Sequence, residues 1–409
     1  MGPRAVHLTL SVTPSRGCAR VTVAGCAEHV RIAIVTESFL PTLNGVTTSV
    51  CRVLDCLAAA GGHDVLVICP SPAPTQYLGF RVTTVPTVTL RAFRVGLPTR
   101  RLEQILRDFA PDVVHAASPF GLGARGLAAA RNLGIPTVAV YQTDMPSYVA
   151  QHGGPIGPWA HRASWAWVRH LHSLADLTLA PSSAAIEEFT AHGVPRLALW
   201  GRGVDTSTYS PQLKQTPESA HLRSRLAPDG EVIVGYVGRL APEKELHRLA
   251  EIADLPGVSL ALVGDGPSRT DLERLLPRAH FLGRQEGALL ALSYASFDCF
   301  CHTGTKETFG QTLQEAMASG VPVVAPAAGG PLDIVKPGVT GLLFDPGTLG
   351  ELRRSVGTLV ADEGMRRRMS ESAARSVADR SWAGLVGSLT QHYRSVIIAR
   401  RSPVHSRAA

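Results

Sequence analysis

Between Gly304 and Pro326 the chain reads GTKETFGQTLQEAMASGVPVVAP, with two glutamates, Glu307 and Glu315, around a short Phe-Gly-Gln-Thr run. Thr308 followed by Gln311 matches a capping box, so the spacing predicts a helix from Phe309 to Ser319, ended by Gly320 with Pro322 beyond. Glu307 then sits in the loop ahead of the helix, and Glu315, about two turns along, projects on nearly the same face as Thr308. The first-turn amides of Phe309, Gly310, Gln311 and Thr312 lack helical partners, and Gly310 has no side chain to keep a ligand away from them. Such a start is an anion site framed by two carboxylates. Two solvated glutamates flanking an ordinary helix would give the same local string, because the helix dipole favours carboxylates there.

A second group of residues lies in GYVGRLAPEKE, where Gly238 ends a strand and Arg239 and Lys244 follow at short spacing. Two cations beside a tight glycine turn suit a diphosphate. The competing reading pairs both cations with Glu243 or Glu245 on the surface. Asn44-Gly45-Val46 forms another glycine turn ahead of a helix and could approach a phosphate from the other half of the chain. GLGARG, with Gly121, Gly123 and Gly126, fits the dinucleotide fingerprint, with Asp144 ending the next strand. This is the sequence's case for a nicotinamide-dependent oxidoreductase, weakened by Ser118, Pro119 and Phe120 between strand and turn. No Asp-x-Asp occurs, so no metal is expected, and the charge of a diphosphate falls to Arg239, Lys244 and the helix start at Phe309.

At 409 residues the chain exceeds one ordinary core, and 45% hydrophobic against 18% charged residues describes a folded protein with two cores. No uninterrupted apolar stretch is long enough to span a bilayer. A net charge of +7 favours an anionic partner, but no basic block or recognition motif points to nucleic acid. The seven cysteines are odd in number and lack C-x-x-C spacing, which suits reduced thiols in a cytoplasmic protein. Pro14, Arg16 and Arg20 interrupt the segment before Cys26, so VAGC is not read as a signal-peptide cleavage site. Residues 1–29 are expected to be a disordered extension, with regular structure beginning at Val30.

From Val30 buried-strand runs alternate with helices: RIAIVT, a helix over 47–60, DVLVICP, a helix in RRLEQILRDF, DVVHAAS, a helix in ARGLAAARNLG, PTVAVYQT and LTLAPS. The pattern breaks over 197–211. A second alternation follows: EVIVGYVGRL, a helix over 244–253, SLALVGDG, a helix over 269–276, AHFLG, a helix over 286–295, DCFCHTG, the helix of the glutamate pair, VPVVAP and GLLF. The fold class is therefore α/β, with two Rossmann-like doubly wound domains facing a cleft, over 30–203 and 204–380. A final crossover helix and tail occupy 381–409. A ligand belongs at the carboxyl ends of the strands between the domains.

Taken together, NGV, VGRLAPEKE, LVGDGP, FLGR, E-x7-E in ETFGQTLQE, MASGVPVVAPAAGGPLDIV and GVTGLLF resemble the family 4 retaining glycosyltransferases of GT-B fold, from about Arg31 to the last helix. Within that family, ESFLPTLNGVTTSV, YQTDMPSYV and HTGTKETFGQTLQEAMASGVPVVAP look most like the actinobacterial-type GDP-mannose-dependent α-mannosyltransferases of phosphatidylinositol mannoside or glucuronosyl diacylglycerol synthesis. The resemblance implies that Glu307 approaches the donor sugar and Glu315 holds the ribose hydroxyls. It assigns sugar or phosphate to the amides of Phe309, Gly310 and Gln311, with Thr312 beside them, and the leaving phosphate to Arg239 and Lys244, with Gly45 opposite. Gly238 and the loop Leu282, Gly283 and Arg284 complete the nucleotide site. His115 in DVVHAASP corresponds to a cleft histidine near the sugar, although a satisfied strand histidine reads the same, and Asp144 falls on the acceptor side. The implied partners are a nucleotide sugar and a lipid or glycolipid acceptor, with no metal or other cofactor. A UDP-sugar glycolipid transferase and a catalytically silent nucleotide-sugar-binding protein remain the alternatives.

RAFRVGLPTRRLEQILRDF places Leu102, Ile105, Leu106 and Phe109 on one helical face, with Arg91, Arg94, Arg100, Arg101 and Arg107 nearby. The apolar stripe fits an ordinary sheet-covering helix. The arginines fit an anionic membrane surface, a peripheral place on the inner face of the plasma membrane. Trp159, Trp165 and Trp167 are either interface anchors, acceptor-site walls or core residues.

Overall fold

The computed structural model describes residues 29–42, 44–90, 93–96, 101–142 and 157–401. Residues 1–28 of the expected extension, Asp144, Arg91 and Arg100 lie outside the described residues, as do the side chains of Arg94 and Trp159. Two sheets result. The first has the order β10-β9-β8-β7-β1-β2-β4-β3 and the second β13-β12-β11-β14-β15-β16. In the first, β1 (Val30–Thr36), β2 (His63–Pro70), β7 (Val113–Ala117), β8 (Thr137–Val140), β9 (Leu177–Ala180) and β10 (Leu197–Leu199) run parallel. Their near-continuous apolar runs follow from being covered on both faces. The register sets Ile34 opposite His115 and His115 opposite Val138. β3 (Gln76–Tyr77) and β4 (Phe80–Val85) add a short antiparallel edge, and β5 (Thr87–Leu90) and β6 (Phe93–Gly96) pair as a separate ribbon.

The second sheet is parallel throughout, built from β11 (Val232–Val237), β12 (Val258–Val263), β13 (His280–Gly283), β14 (Cys299–Cys301), β15 (Val323–Pro326) and β16 (Gly341–Phe344). Strand order reverses beside β1, between β2 and β7, and beside β11, between β12 and β14. A crevice opens at the carboxyl ends of strands at such reversals. Glu37 and Ser118 follow the first pair of central strands, while Gly238 and His302 follow the second.

Two chain crossings join the halves side by side. The Val204 amide donates to the Arg380 carbonyl at 2.9 Å, and Val204 bridges to Ser381 in parallel. The last helix, Trp382–Arg401, then returns to the first half, where Val386, Leu389, Tyr393, Val396 and Ile397 join the core of Ile32, Val65, Val113 and Val138. Each such buried side chain contributes about 1.5–3 kcal/mol, so this face, not the exposed pair Arg400–Asp176, holds the helix in place.

Several elements differ from their sequence reading. The helix expected over 244–253 is two 3₁₀ segments, Pro242–Lys244 and Leu246–Glu251, parted by Glu245 in the left-handed region at φ 51°. Glu245 is held there by its carboxylate, which takes the amide and hydroxyl of Thr305 and the Arg248 guanidinium. The expected crossing over 197–211 begins with a true strand, β10. In the helix Arg101–Phe109, Leu102, Leu106 and Phe109 are buried in the core and Ile105 packs beside them, while Arg101 is exposed and Arg107 pairs with Glu103 at 3.8 Å. Trp165 is likewise a core residue, stacked on His192 with ring centroids 3.8 Å apart, whereas Trp167 is exposed. Among the described residues no helix is long and apolar enough to cross a membrane.

Candidate active site

The glycine turn after β11 is fixed by backbone contact. Gly238 (φ 154°), Gly264 (φ 140°) and Gly266 (φ 156°) all lie at positive φ. A Cβ on Gly264 would fall 1.8 Å from the Gly238 carbonyl oxygen, and one on Gly266 2.4 Å from that of Leu240. Only glycine lets the loops after β11 and β12 approach so closely. The Tyr236 hydroxyl donates to the Arg239 carbonyl at 3.2 Å, and the Thr303 hydroxyl donates to the Lys244 carbonyl at 2.7 Å. These bonds set the two cations at the mouth of the crevice. Their side chains diverge: Arg239 pairs with Glu243 at the surface, while Lys244 turns inward and donates to Glu307 Oε2 at 2.9 Å.

Glu307 is the centre of the arrangement. Its Oε1 also accepts from the Gly310 amide at 3.1 Å and, more weakly, the Phe309 amide at 3.4 Å. The carboxylate thus does the capping work expected of Thr308. The helix accordingly starts at Gln311, not Phe309, and runs Gln311–Ala318, with Gly310 ahead of it at φ 98°. Gly329 and Gly330 clamp the loop from behind: a Cβ on either would lie 2.5 Å or less from the carbonyl oxygens of Glu307 and Phe309. His302, buried after β14, places Nε2 3.8 Å from Glu307 Oε2. Burial pushes the His302 imidazole down to about 4, against the support of Glu307. Burial likewise works to raise the Glu307 carboxyl, but Lys244, His302 and the hydrogen bonds outweigh it and hold the carboxyl at about 2. At neutral pH Glu307 is therefore a carboxylate.

Glu315 has the opposite balance. Its Oε2 accepts from the Tyr294 hydroxyl at 2.9 Å and its Oε1 from Gln311 Nε2 at 3.3 Å. Burial outweighs these bonds and raises its carboxyl to about 7. Gln311 Nε2 also donates to the Gly203 carbonyl at 3.2 Å, and Gln314 Nε2 to the Arg202 carbonyl at 2.8 Å. The helix carrying the glutamate pair is thus stitched to the chain crossing. Thr312 lies half-buried on its first turn. Gly283 takes the Gly264 amide on its carbonyl at 2.8 Å, and the Arg284 side chain is exposed and paired with Glu286.

From the first half, Gly45 opens the helix Gly45–Ala60, whose amides at Val46 and Thr47 are taken by Asn44 Oδ1 at 3.0 Å each. Gly45 faces the Arg202 guanidinium, 3.5 Å from where its Cβ would stand. Two expectations change here. His115 is not a cleft residue: it is buried in mid-strand, with Nδ1 2.5 Å from the Tyr393 hydroxyl of the returning helix. Burial lowers its imidazole to about 4, so it serves as a neutral bridge between β7 and that helix. GLGARG does not offer a pyrophosphate site either. Glu37 Oε1 already accepts from the amides of Phe120 at 3.1 Å and Gly123 at 2.9 Å, and that carboxylate would repel a diphosphate. Gly126 is a packing residue, its Cβ position 3.0 Å from Val35.

Arg202, His302 and Tyr294 were not singled out in the sequence. Arg202 stands between two glycines in a segment that reads as linker, and that flanking is the one local signal. Among the described residues no cluster of three His, Cys, Asp or Glu side chains could hold a metal ion.

Comparison with known proteins agrees with this geometry. Residues 43–208 match the family described as Glycosyltransferase Family 4, and residues 218–376 match Glycosyl transferases group 1. The chain is 50% identical over 382 residues to a GDP-mannose-dependent alpha-mannosyltransferase of Mycolicibacterium smegmatis, covering 91% of this chain and 99% of that one. A protein of the same name from Mycobacterium tuberculosis is 48% identical over 377 residues, covering 90% and 97%. In three dimensions the crystal structure of Anabaena Alr3699/HepE in complex with UDP and glucose superimposes with a TM-score of 0.71 at 22% identity, covering 90% of this chain and 100% of that one, a likeness of fold. Two parallel-sheet halves, a returning helix and a glutamate pair at the crevice, joined to these matches, establish that the chain belongs to the family 4 glycosyltransferases of GT-B fold.

Proposed function

We propose that the protein transfers an α-mannosyl residue from GDP-mannose, with retention of configuration, to a hydroxyl of a glycolipid acceptor of the phosphatidylinositol mannoside or glucuronosyl diacylglycerol type. The donor assignment rests on 48–50% identity along nine-tenths of the chain to proteins of that name. The observation that carries the chemistry is the Glu307 carboxylate held between the Lys244 ammonium and the Gly310 amide.

As the bond between the anomeric carbon and the diphosphate breaks, the electron pair stays on the phosphate oxygen. Lys244, Arg239 and the amides at the start of Gln311–Ala318 are suited to stabilise that charge, which is where most of the rate enhancement arises. A donor phosphate competes with Glu307 for Lys244. A carboxyl held at about 2 is a weak base at neutral pH. In this reading Glu307 therefore accepts hydrogen bonds from sugar hydroxyls and sets negative charge near the developing cationic carbon. The acceptor oxygen forms the new bond to that carbon, and its proton leaves on the departing phosphate.

Because protein cations and amides balance the diphosphate in this scheme, we propose that transfer proceeds without a divalent metal. The net charge of +7 and the exposed Trp167 support a peripheral place on an anionic membrane surface. The test is donor competition: purified protein and membrane lipids receive labelled GDP-mannose or UDP-glucose, with and without chelator. Label entering the lipid phase from GDP-mannose supports the proposal. Label from UDP-glucose alone overturns the donor, and loss of transfer on chelation overturns metal independence.

A further inference from the structure

The crossing Gly201-Arg202-Gly203 is fixed so that its arginine has one direction to go. A Cβ on Gly201 would lie 2.8 Å from the Phe309 ring, and one on Gly203 2.7 Å from the Trp382 backbone. The Arg202 carbonyl is tied to Gln314. What remains is the side chain, which extends into the crevice between the two halves, with Nη1 and Nη2 3.5 and 3.8 Å from the Cβ position of Gly45. Glycine at position 45 leaves the face of the guanidinium open. A longer side chain there would cover it.

The surrounding cations are occupied. Lys244 bonds Glu307, Arg239 pairs with Glu243, and Arg52 meets Asp205 at 3.2 Å. Arg202 makes no hydrogen bond or ion pair with any described side chain, although it stands in the field of Glu307, whose carboxylate supports its charge against the effect of burial. The Arg202 side chain is half-buried, and its planar fork of five donors, unpaired with any described side chain, matches a phosphate. Its neighbours are also telling: Gly45 comes from the first half of the chain, and Glu307 from the second.

We propose that Arg202 binds the donor phosphate that carries the transferred sugar, as a cation supplied from the chain crossing in addition to Lys244 and Arg239. This rests on the nucleotide-diphosphate donor proposed above. An anionic group on the acceptor has similar chemistry, and the experiment separates the two.

Calorimetric titration of GDP and GMP into the full chain is compared for the protein, Arg202→Met and Arg202→Lys, with UDP and UMP in parallel and melting temperatures as a folding check. Loss of a charge-assisted hydrogen bond predicts that Arg202→Met weakens GDP roughly 10- to 100-fold while changing GMP by less than about 3-fold. Arg202→Lys should fall between. GDP binding unchanged in Arg202→Met, or GDP and GMP weakened equally, overturns the proposal; unchanged GDP binding with a raised acceptor KM would reassign Arg202 to an acceptor anion. An unsubstituted protein that prefers uridine nucleotides overturns the guanine donor alone, and the role of Arg202 is then judged on UDP against UMP. Binding of neither diphosphate overturns both.

Discussion

Replacing Glu315 with Gln should remove a pH dependence from the stability of the protein. Its carboxyl is raised from 4.5 to about 7 by burial, against the hydrogen bonds from Tyr294 and Gln311. Below pH 4.5 the carboxyl is protonated in both folded and unfolded chains and contributes no slope. Between 4.5 and about 7 the unfolded chain releases the proton while the folded chain keeps it, so stability falls as pH rises, and the loss levels off above 7. At ~1.4 kcal/mol per pKa unit the ceiling is about 3 kcal/mol, and partial access to the crevice reduces this to roughly 1–2 kcal/mol. Glutamine keeps a carbonyl acceptor and does not titrate in this range. Melting curves without nucleotide, from pH 5 to 8.5 at constant ionic strength, should show Glu315→Gln gaining on the unsubstituted protein as pH rises, by ~2–4 °C per kcal/mol for a half of this size. Two parallel curves would refute the reasoning, because the carboxyl would then have an ordinary pKa in the folded protein.

Tyr393→Phe leaves the buried Nδ1 of His115 without its partner and should cost about 1–3 kcal/mol of stability, read by chemical denaturation, with little change in kcat; a large fall in kcat at unchanged stability would return His115 to the site. Gly203→Ala brings a methyl within 2.7 Å of the Trp382 backbone, where no flexible side chain can yield. It should lower stability by about 1–3 kcal/mol or more, whereas Gly257→Ala, with only distant neighbours but φ 75°, tests backbone strain without a clash.

Most of the architecture was legible because parallel strands buried on both faces leave long apolar runs, and the runs at RIAIVT, DVLVICP and VPVVAP are strands where the pattern put them. What stayed hidden depends on contacts distant in sequence. Glu245 breaks a helix because Thr305 and Arg248 hold it, and the helix start moves to Gln311 because the Glu307 carboxylate takes the amides of Phe309 and Gly310. A glycine-rich turn filled by Glu37 looks locally identical to one awaiting a phosphate. His115 shows the same ambiguity, since a buried neutral imidazole and a cleft imidazole are the same letter in a strand. Glu307 and Lys244, by contrast, were found together: both lie on loops that follow central strands beside the reversal in strand order, where topology brings them together.

The most direct test is single-turnover transfer of labelled mannose from GDP-mannose into membrane lipid by the unsubstituted protein, Lys244→Met and Glu307→Gln, each shown to be folded by its melting curve. A catalytic role for the Lys244–Glu307 pair predicts that the unsubstituted protein transfers and that each substitution slows transfer by roughly 100-fold or more, as expected when a preorganised electrostatic contact to the leaving group or sugar is lost. Transfer at near-normal rates in both variants would contradict it, because the Lys244–Glu307 pair would then be only a structural salt bridge.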